Sequence, residues 1–384
     1  MAMSLRGFVL QVHLWLSLVL GVVILIVCSS GAALVYRHDI DRALHPALYQ
    51  VTPGDVGWDA VWHAARSRYP NLEDILIRGP VDRRVYQVEI GDGLLPRAMH
   101  IDPGSGRLLG EHEPSRTLAG RLFILHFNMF GGDAGHAIVG LAGIVLVVIV
   151  VSGVWLWWPP FKRFAFGFRV RWRRPAFVLN YDLHRVAGIV SLPLIFAVAL
   201  TGACLVFYGV GSRVVHGLFL TTPAAAAAQQ TVPATTLPTD RLVLPLSLDG
   251  AARLAAGLLP GSRASSMYVS GPGGADVKVW LRSSGDIRPN VGSWHAWIDR
   301  TTGAVTAAML PANTSVAAHA NETWIIAIHY GTYGGEIVRL VYFAGGLVPV
   351  VLFFTGVIHW WVRRRRPQRA SELSGEEFSS RTIG

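Results

Sequence analysis

Cysteine is almost absent. The chain of 384 residues has two, Cys28 and Cys204, and both lie in apolar runs. They offer no disulfide framework. There is no C-x-x-C-H for covalent haem attachment and no cysteine cluster for an iron–sulfur centre. Charge is scarce as well: Asp, Glu, Lys and Arg make up 15% of the residues, against roughly a quarter in an ordinary soluble domain. No Gly-x-Gly-x-x-Gly fingerprint of a dinucleotide-binding fold occurs. What remains is greasy: 52% of the residues are hydrophobic, and the mean hydropathy is +0.41.

The apolar residues come in runs. A membrane span needs roughly 20 mostly apolar residues, and the stretches 8–36, 136–158, 186–209 and 337–362 meet this, with no acidic residue or lysine in their centres. The first is far longer than the roughly 7–15 residue apolar region of a signal peptide, so it reads as an uncleaved anchor. Lys162, Arg163, Arg169, Arg171, Arg173 and Arg174 follow the second run, and Arg363 to Arg366 follow the fourth. Short basic flanks mark the cytoplasmic side, and Arg6 places the N-terminus there too. The net charge of +10 is therefore explained by topology and calls for no nucleic-acid partner. Segments 38–116 and 210–318 fall on the opposite, periplasmic side.

The chain repeats itself. "HLWLSLVLGVVILIVCSSGAALVY" from His13 aligns with "HRVAGIVSLPLIFAVALTGACLVFY" from His184, and one interval separates both His13 from Gly31 and His184 from Gly202. Aligning His126 with His329 sets Gly131-Gly132 on Gly334-Gly335, Ser152-Gly153 on Thr355-Gly356, and Trp157-Trp158 on Trp360-Trp361. The intervening segments repeat more weakly. "MHIDPGSGRLLGE" (99–111) matches "AWIDRTTGAVTAA" (296–308), both with hairpin chemistry. Helical patterns start at Trp58 and Leu248, and the alternating strands "RVYQVEI" (84–90) and "DVKVWLR" (276–282) follow. The stretch 221–239, rich in Ala, Thr and Pro, reads as a flexible loop. The predicted architecture is a membrane α-helical protein: a four-helix transmembrane bundle made of two repeated halves, with two periplasmic α+β domains. Both halves enter the membrane in the same sense, so they are related by an axis along the membrane normal.

Six of the 14 histidines stand near the spans: His13, His126, His136, His184, His329 and His359. Ionisable groups at membrane depth mark functional sites. His13 and His184 occupy the cytoplasmic starts of the first and third spans, and His126 and His329 the periplasmic ends of the second and fourth. Related residues face one another across the axis, so each pair offers two imidazoles to opposite sides of one planar ligand, as in a bis-histidine haem. With a hydrocarbon core of ~30 Å, the two centres would lie roughly 15–20 Å apart. Zinc competes as a ligand, with Asp182 or Glu336 as supplementary donors, but zinc prefers three or four protein ligands. His136 and His359 align with Arg339 and Leu156. Either is a candidate to hold a haem propionate or to replace an axial ligand, and His359 competes most directly with the His13/His184 pair. Arg121 and Arg339 are candidates to neutralise propionates. The Gly-Gly pairs break the helix after each periplasmic-side histidine. The tryptophans at the cytoplasmic span ends form an interfacial belt.

The spans built on His and Thr/Ser-Gly, with an Asp-Pro-x-x-Gly turn in a flanking small domain, resemble the PepSY-associated transmembrane family, also called iron-regulated membrane proteins, over nearly the whole chain. Within it, a stand-alone four-span chain looks like a ferric-siderophore reductase of the FoxB type. The resemblance implies a bacterial inner-membrane protein that binds two b-type haems and reduces siderophore-bound iron in the periplasm. The haems would be held by His13 and His184 and by His126 and His329. Electron transfer of this kind needs no catalytic acid or nucleophile, and the donor, a reductase, quinol or soluble carrier, is separate. The expected order is an N-terminus and first span (1–37), a PepSY-like domain (38–116), an interfacial helix and second span (117–158), a basic loop (159–178), a third span (179–209), a linker and second PepSY-like domain (210–318), an interfacial helix and fourth span (319–362), and a cytoplasmic tail (363–384). Two rivals stand beside this reading: a regulatory or sensor protein without redox activity, and a transporter of iron chelate or metal.

Overall fold

The computed structural model describes residues 3–71, 74–80, 84–91, 93–230, 244–288 and 290–380. In chain order the helices are α1 (Leu5–Leu34), α2 (Arg37–Leu44), α3 (Gly57–Arg68), α4 (Leu118–Asn128), α5 (Gly132–Trp157), α6 (Ala176–Val206), α7 (Tyr208–Leu218), α8 (Pro223–Gln230), α9 (Leu248–Leu258), α10 (Val316–His319), α11 (Ile325–Tyr330) and α12 (Gly335–Ser380), with a π-helical turn at Ala320–Trp324 between α10 and α11. The strands are β1 (Ile75–Arg78), β2 (Tyr86–Ile90), β3 (Arg97–Ile101), β4 (Leu108–His112), β5 (Arg263–Ser270), β6 (Asp276–Arg282), β7 (Trp294–Asp299) and β8 (Ala304–Met309). They fall into two compact units.

The first unit holds residues 1–32, 125–203 and 340–384. Among the described residues four helices are long and apolar enough to cross a membrane: α1, α5, α6 and the Gly335–Arg365 part of α12. Three lie within about four residues of an expected run, whereas α6 begins ten residues before the third run, at Ala176. Their outward residues are exposed yet apolar, among them Val19, Val22, Val151, Val190, Leu200, Val351 and Phe354, as lipid requires and water does not. Glycines let the helices approach. A Cβ on Gly21 would meet the Phe353 ring at 2.4 Å, and one on Gly346 would meet Ala32 at 3.0 Å. α6 runs unbroken past Pro193. α12 continues beyond its span to Ser380.

The second unit holds residues 33–124 and 204–339. Its eight described strands form one antiparallel sheet, ordered β4-β3-β2-β1-β5-β6-β7-β8. The sequence led us to expect a separate α+β domain from each half; the two sets of four strands instead share a sheet. They join through β1 and β5, with Ile75 opposite Val269 and Arg78 opposite Ser266. Neither strand stands out by local pattern. β1 has four residues, and β5 carries three serines among its apolar positions. One sheet face is the core. Ile75, Ile77, Val88, Met99, Met267, Val279, Leu281 and Ile298 are all buried beneath Val61, Trp62 and Ala65 of α3 and Leu248, Ala251 and Ala255 of α9.

The N-termini of α3 and α9 are capped reciprocally. The Asp249 carboxylate accepts from Trp58 N at 2.8 Å and Asp59 N at 3.3 Å. The Asp59 carboxylate accepts from Leu248 N at 2.8 Å and Asp249 N at 3.1 Å. Each helix thus offers its unpaired amides and positive dipole end to a carboxylate of the other. Burial pushes the Asp249 carboxyl up, and the like charge of Asp59 adds to this. A cap is worth about 1 kcal/mol. In Asp249→Ala, the amides opening α3 should therefore exchange with deuterium about fivefold faster, although the substitution lies in α9. Unchanged exchange at Trp58 and Asp59 would show that the cross-cap does not hold α3.

Two Asp turns close the outer hairpins. Asp102 is buried. Burial alone would raise its pKa, but hydrogen bonds from Ser105 and Thr52 outweigh that and hold the carboxyl well below the carboxylate range. Asp299 accepts from the amides and hydroxyls of Thr301 and Thr302. Of the stretch 221–239, read as a loop, Pro223–Gln230 is helical; 231–239 lies outside the described residues.

Candidate functional site

Two of the four paired histidines rest on a Ser or Thr followed by Gly on a neighbouring helix, and a third on the backbone of such a step. His13 of α1 points its Nδ1 at Ile149 O (3.1 Å) and Ser152 Oγ (2.9 Å) of α5, and its Cε1 lies 3.5 Å from where a Cβ on Gly153 would be. His184 of α6 points its Nδ1 at Thr355 Oγ1 of α12 (2.9 Å), with the Leu352 backbone as a second partner. A Cβ on Gly356 would stand 3.4 Å from its Cε1. His126, on the α4 side of the helix break, points its Nδ1 at Val27 O of α1 (2.8 Å) and lies against Gly31. In each case the backbone partner is the residue three before the hydroxyl: Ile149 before Ser152, Leu352 before Thr355 and Val27 before Ser30.

This geometry fixes the tautomer. A carbonyl only accepts, so Nδ1 of His13 and of His126 carries the proton. Ser152 donates its own proton to Ile149 O at 2.9 Å, and Thr355 donates to Val351 O at 2.7 Å. Their oxygens are left to accept, so the His184 proton also sits on Nδ1. In all three rings the in-plane lone pair is on Nε2, the atom a neutral imidazole presents to a metal. An Nδ1–H held by a protein acceptor is the usual outer support of a metal-ligating histidine. His184 is within electrostatic reach of both His13 and His359. The fourth step, Thr201-Gly202, turns its hydroxyl onto Ala197 O and Val198 O in the same way.

The hydroxyls of Ser152 and Thr355 are functional candidates that sequence reasoning recorded only as small residues. The signal was present, because Ser/Thr and Gly recur side by side at a fixed interval from each histidine.

The remaining candidates have other surroundings. His359 stacks on Phe177 with ring centroids 4.8 Å apart and leans on Tyr181. These three, with Arg171, Val178 and Arg363, line a cavity of about 590 Å³. His136 donates from Nδ1 to Phe127 O at 3.1 Å and stacks on the Phe127 ring, which ties the start of α5 to the end of α4. The turn between these helices puts Met129, Phe130 and Gly132 at positive φ, while Gly131 stays at −102°. The other expected break uses Gly331, Gly334 and Gly335.

In the second unit, His329 is half-buried on α11 beside Tyr330. Arg339 bonds Asp39 and Glu336 and lies 4.4 Å from the Tyr36 ring centroid, so the group expected to meet a propionate already has two carboxylates. Arg121 is exposed on α4. Asp182, considered as a supplementary metal donor, is fully buried and fully engaged. It accepts from Arg171 Nε at 2.7 Å and Nη2 at 2.9 Å, and pairs with Arg185 at 3.2 Å. Glu336 is likewise taken, by Arg339. Among the described residues no group of three or more His, Cys, Asp or Glu side chains converges as a metal site would. The donor set offered by His13 and His184 is two imidazoles with small residues beside them. It suits a planar ligand with two axial positions better than a tetrahedral ion.

Comparison with known proteins gives one family match. A model of the PepSY-associated TM region covers residues 10–363. No curated protein matches the chain.

Proposed function

From the premise that this chain belongs to the PepSY-associated transmembrane family, we propose that it is an inner-membrane electron-transfer protein that binds two b-type haems and reduces ferric siderophore in the periplasm, freeing Fe(II). The observation that carries this reading is the pair His13 and His184. Both are oriented by a hydroxyl–glycine seat, both present Nε2 as a base, and they lie within electrostatic reach of each other.

Haem, when bound, supplies a one-electron carrier whose potential follows its axial ligands and surroundings. The protein's residues hold and shield it. His13 and His184 would hold the cytoplasmic-side group through Nε2. Ser152 and Thr355 keep each proton on Nδ1 and each ring at a fixed angle. Gly153 and Gly356 keep the wall beside each ring low, and the apolar spans keep water out. By the sequence pairing, His126 and His329 serve the periplasmic-side group. No Nε2 here is asked to move a proton, in keeping with a role confined to ligation. The donor is a separate molecule, and both termini are cytoplasmic, as the basic flanks indicate.

The test is a pyridine-haemochrome assay on protein purified from haem-replete cells, expected to give about two haems per chain with low-spin, bis-histidine spectra. A colourless preparation would falsify the proposal and leave the family's other, non-redox roles to be pursued.

A further inference from the structure

The two halves of the sheet unit differ where a duplicated scaffold has no structural reason to differ. Aligning the two Asp turns sets His100 on Trp297 and Ala98 on His295. Strand register extends the comparison, since His100 pairs with Gln87 and Trp297 with Lys278, while Ala98 pairs with Glu89 and His295 with Trp280. These residues alternate with the buried core positions, so they lie on the sheet face away from α3 and α9. In the first half that face carries His100, Gln87, Ala98 and Glu89. In the second it carries Trp297, Lys278, His295 and Trp280. The Lys278 ammonium lies 4.7 Å from the Trp280 ring and 5.2 Å from the Trp297 ring.

A second difference lies beside the first. The alignment that pairs His126 with His329 sets Leu118, Ala119 and Gly120 on Asn321, Glu322 and Thr323. The first trio starts the regular helix α4. The second sits in the π-turn, a distortion that recurs at functional sites. Asn321 is 4% exposed and Thr323 fully buried, yet Asn321 Oδ1 and Thr323 Oγ1 have no hydrogen-bond partner among the described residues. Buried polar atoms of this kind call for a ligand or a water. Asn321 Nδ2 donates to Tyr208 Oη at 2.9 Å, and Tyr208 donates to Glu322 at 2.8 Å. Glu322 in turn interacts electrostatically with Lys278 and Arg288. The turn and the sheet face are therefore one neighbourhood, and Tyr330, next to His329, interacts with Arg288 within it.

We propose that Lys278, Trp280, Trp297 and Arg288, beside the π-turn of the second half only, bind an anionic, aromatic ferric chelate of the catecholate class. The chemistry follows from the groups present. Indole faces stack on flat rings, and a cation between them favours rings that carry negative charge. Lys278 and Arg288 offset the charge of the chelate. Burial pulls the Lys278 ammonium down, Glu322 opposes this, and Arg288 adds a smaller downward pull; the ammonium sits against the two indole rings, where an anionic ring can meet it. His295 is pulled to about 3 by burial, with Lys278 and Arg288 adding to it. It is therefore neutral near pH 7 and serves as a hydrogen-bonding partner rather than a third cation. This inference rests on the ferric-chelate reading above and narrows its substrate.

The experiment uses the full chain in detergent and redox-inert gallium(III) complexes, one an anionic tricatecholate and one a neutral trihydroxamate, followed by calorimetry. The tricatecholate should bind more tightly than the trihydroxamate. Lys278→Gln and Trp297→Ala should each weaken it about tenfold or more, the worth of one desolvated charged or stacked contact. Lys278→Arg should restore most of the affinity, and Gln87→Ala, the matching change in the first half, should leave it within about twofold. Equal loss in Gln87→Ala, no loss in Lys278→Gln, or preference for the neutral complex overturns the proposal. Displacement of the gallium complex by short-chain phosphatidylglycerol also overturns it, by assigning the surface to lipid headgroups. Gallium needs no electron. Binding without iron reduction would therefore sink the reductase reading and spare this site, whereas haem loading without gallium binding would do the reverse.

Discussion

A His184→Ala chain purified from haem-replete cells should carry half the haem of the wild type, and so should His13→Ala. Each should lose the same, cytoplasmic-side group, so the double variant loses no more than either single one. Pyridine haemochrome gives the content, and redox titration shows which of two potentials has disappeared. His359→Ala is the informative comparison. Its ring stacks on Phe177 and borders a cavity, and the repeat sets Leu156 rather than a histidine opposite it, so its removal should leave the content unchanged. If His359→Ala halves the haem and His184→Ala does not, the axial assignment moves to His359. Ser152→Ala and Thr355→Val remove only the acceptor for Nδ1–H. Losing such a support typically costs about 10–100-fold in metal affinity. The expected result is haem retained at saturating supply, with a shifted potential and faster loss to a competing apoprotein.

Gly31→Ala should abolish the other haem and spare the first. A Cβ at position 31 would stand 2.7 Å from His126 Cε1, closer than side-chain carbons approach, whereas one at position 153 would stand 3.5 Å from His13 Cε1, an ordinary contact. The same one-methyl change therefore has opposite outcomes at two aligned kinds of site. At Gly153 it is accommodated. At Gly31 it lifts the imidazole from Val27 O or forces α1 and α4 apart, at about 1–3 kcal/mol of overpacking strain. Optical spectra of the two variants check this directly. Equal haem content in Gly31→Ala and Gly153→Ala would show that the His126 ring position does not govern binding.

The spans were readable in the sequence because lipid imposes a simple local rule: long apolar runs bounded by arginine. The histidines were readable through their fixed interval to Ser/Thr-Gly. The reason for that interval was not, because it depends on which helix faces which. Pairings far apart in the chain were also hidden. Arg339 gave no sign that its carboxylate would be Asp39, and Asp182 gave none that Arg171 and Arg185 would take both its oxygens. In the sheet unit β2 and β6 fall in the stretches read by alternation, whereas β1 and β5 derive their order from each other across about half the chain.

That last pairing governs the order of manufacture. When the first half has left the ribosome, β1 has an unsatisfied edge and α3 lacks the carboxylate that caps Trp58 and Asp59, because Val269 and Asp249 are not yet made. The early half must therefore wait, through the insertion of two more spans, with a sticky strand exposed to whatever chaperones patrol that compartment. The step that closes the sheet is the arrival of the strand around Met267. A chain truncated before that strand would be a substrate for proteases, however well its first two spans had been inserted.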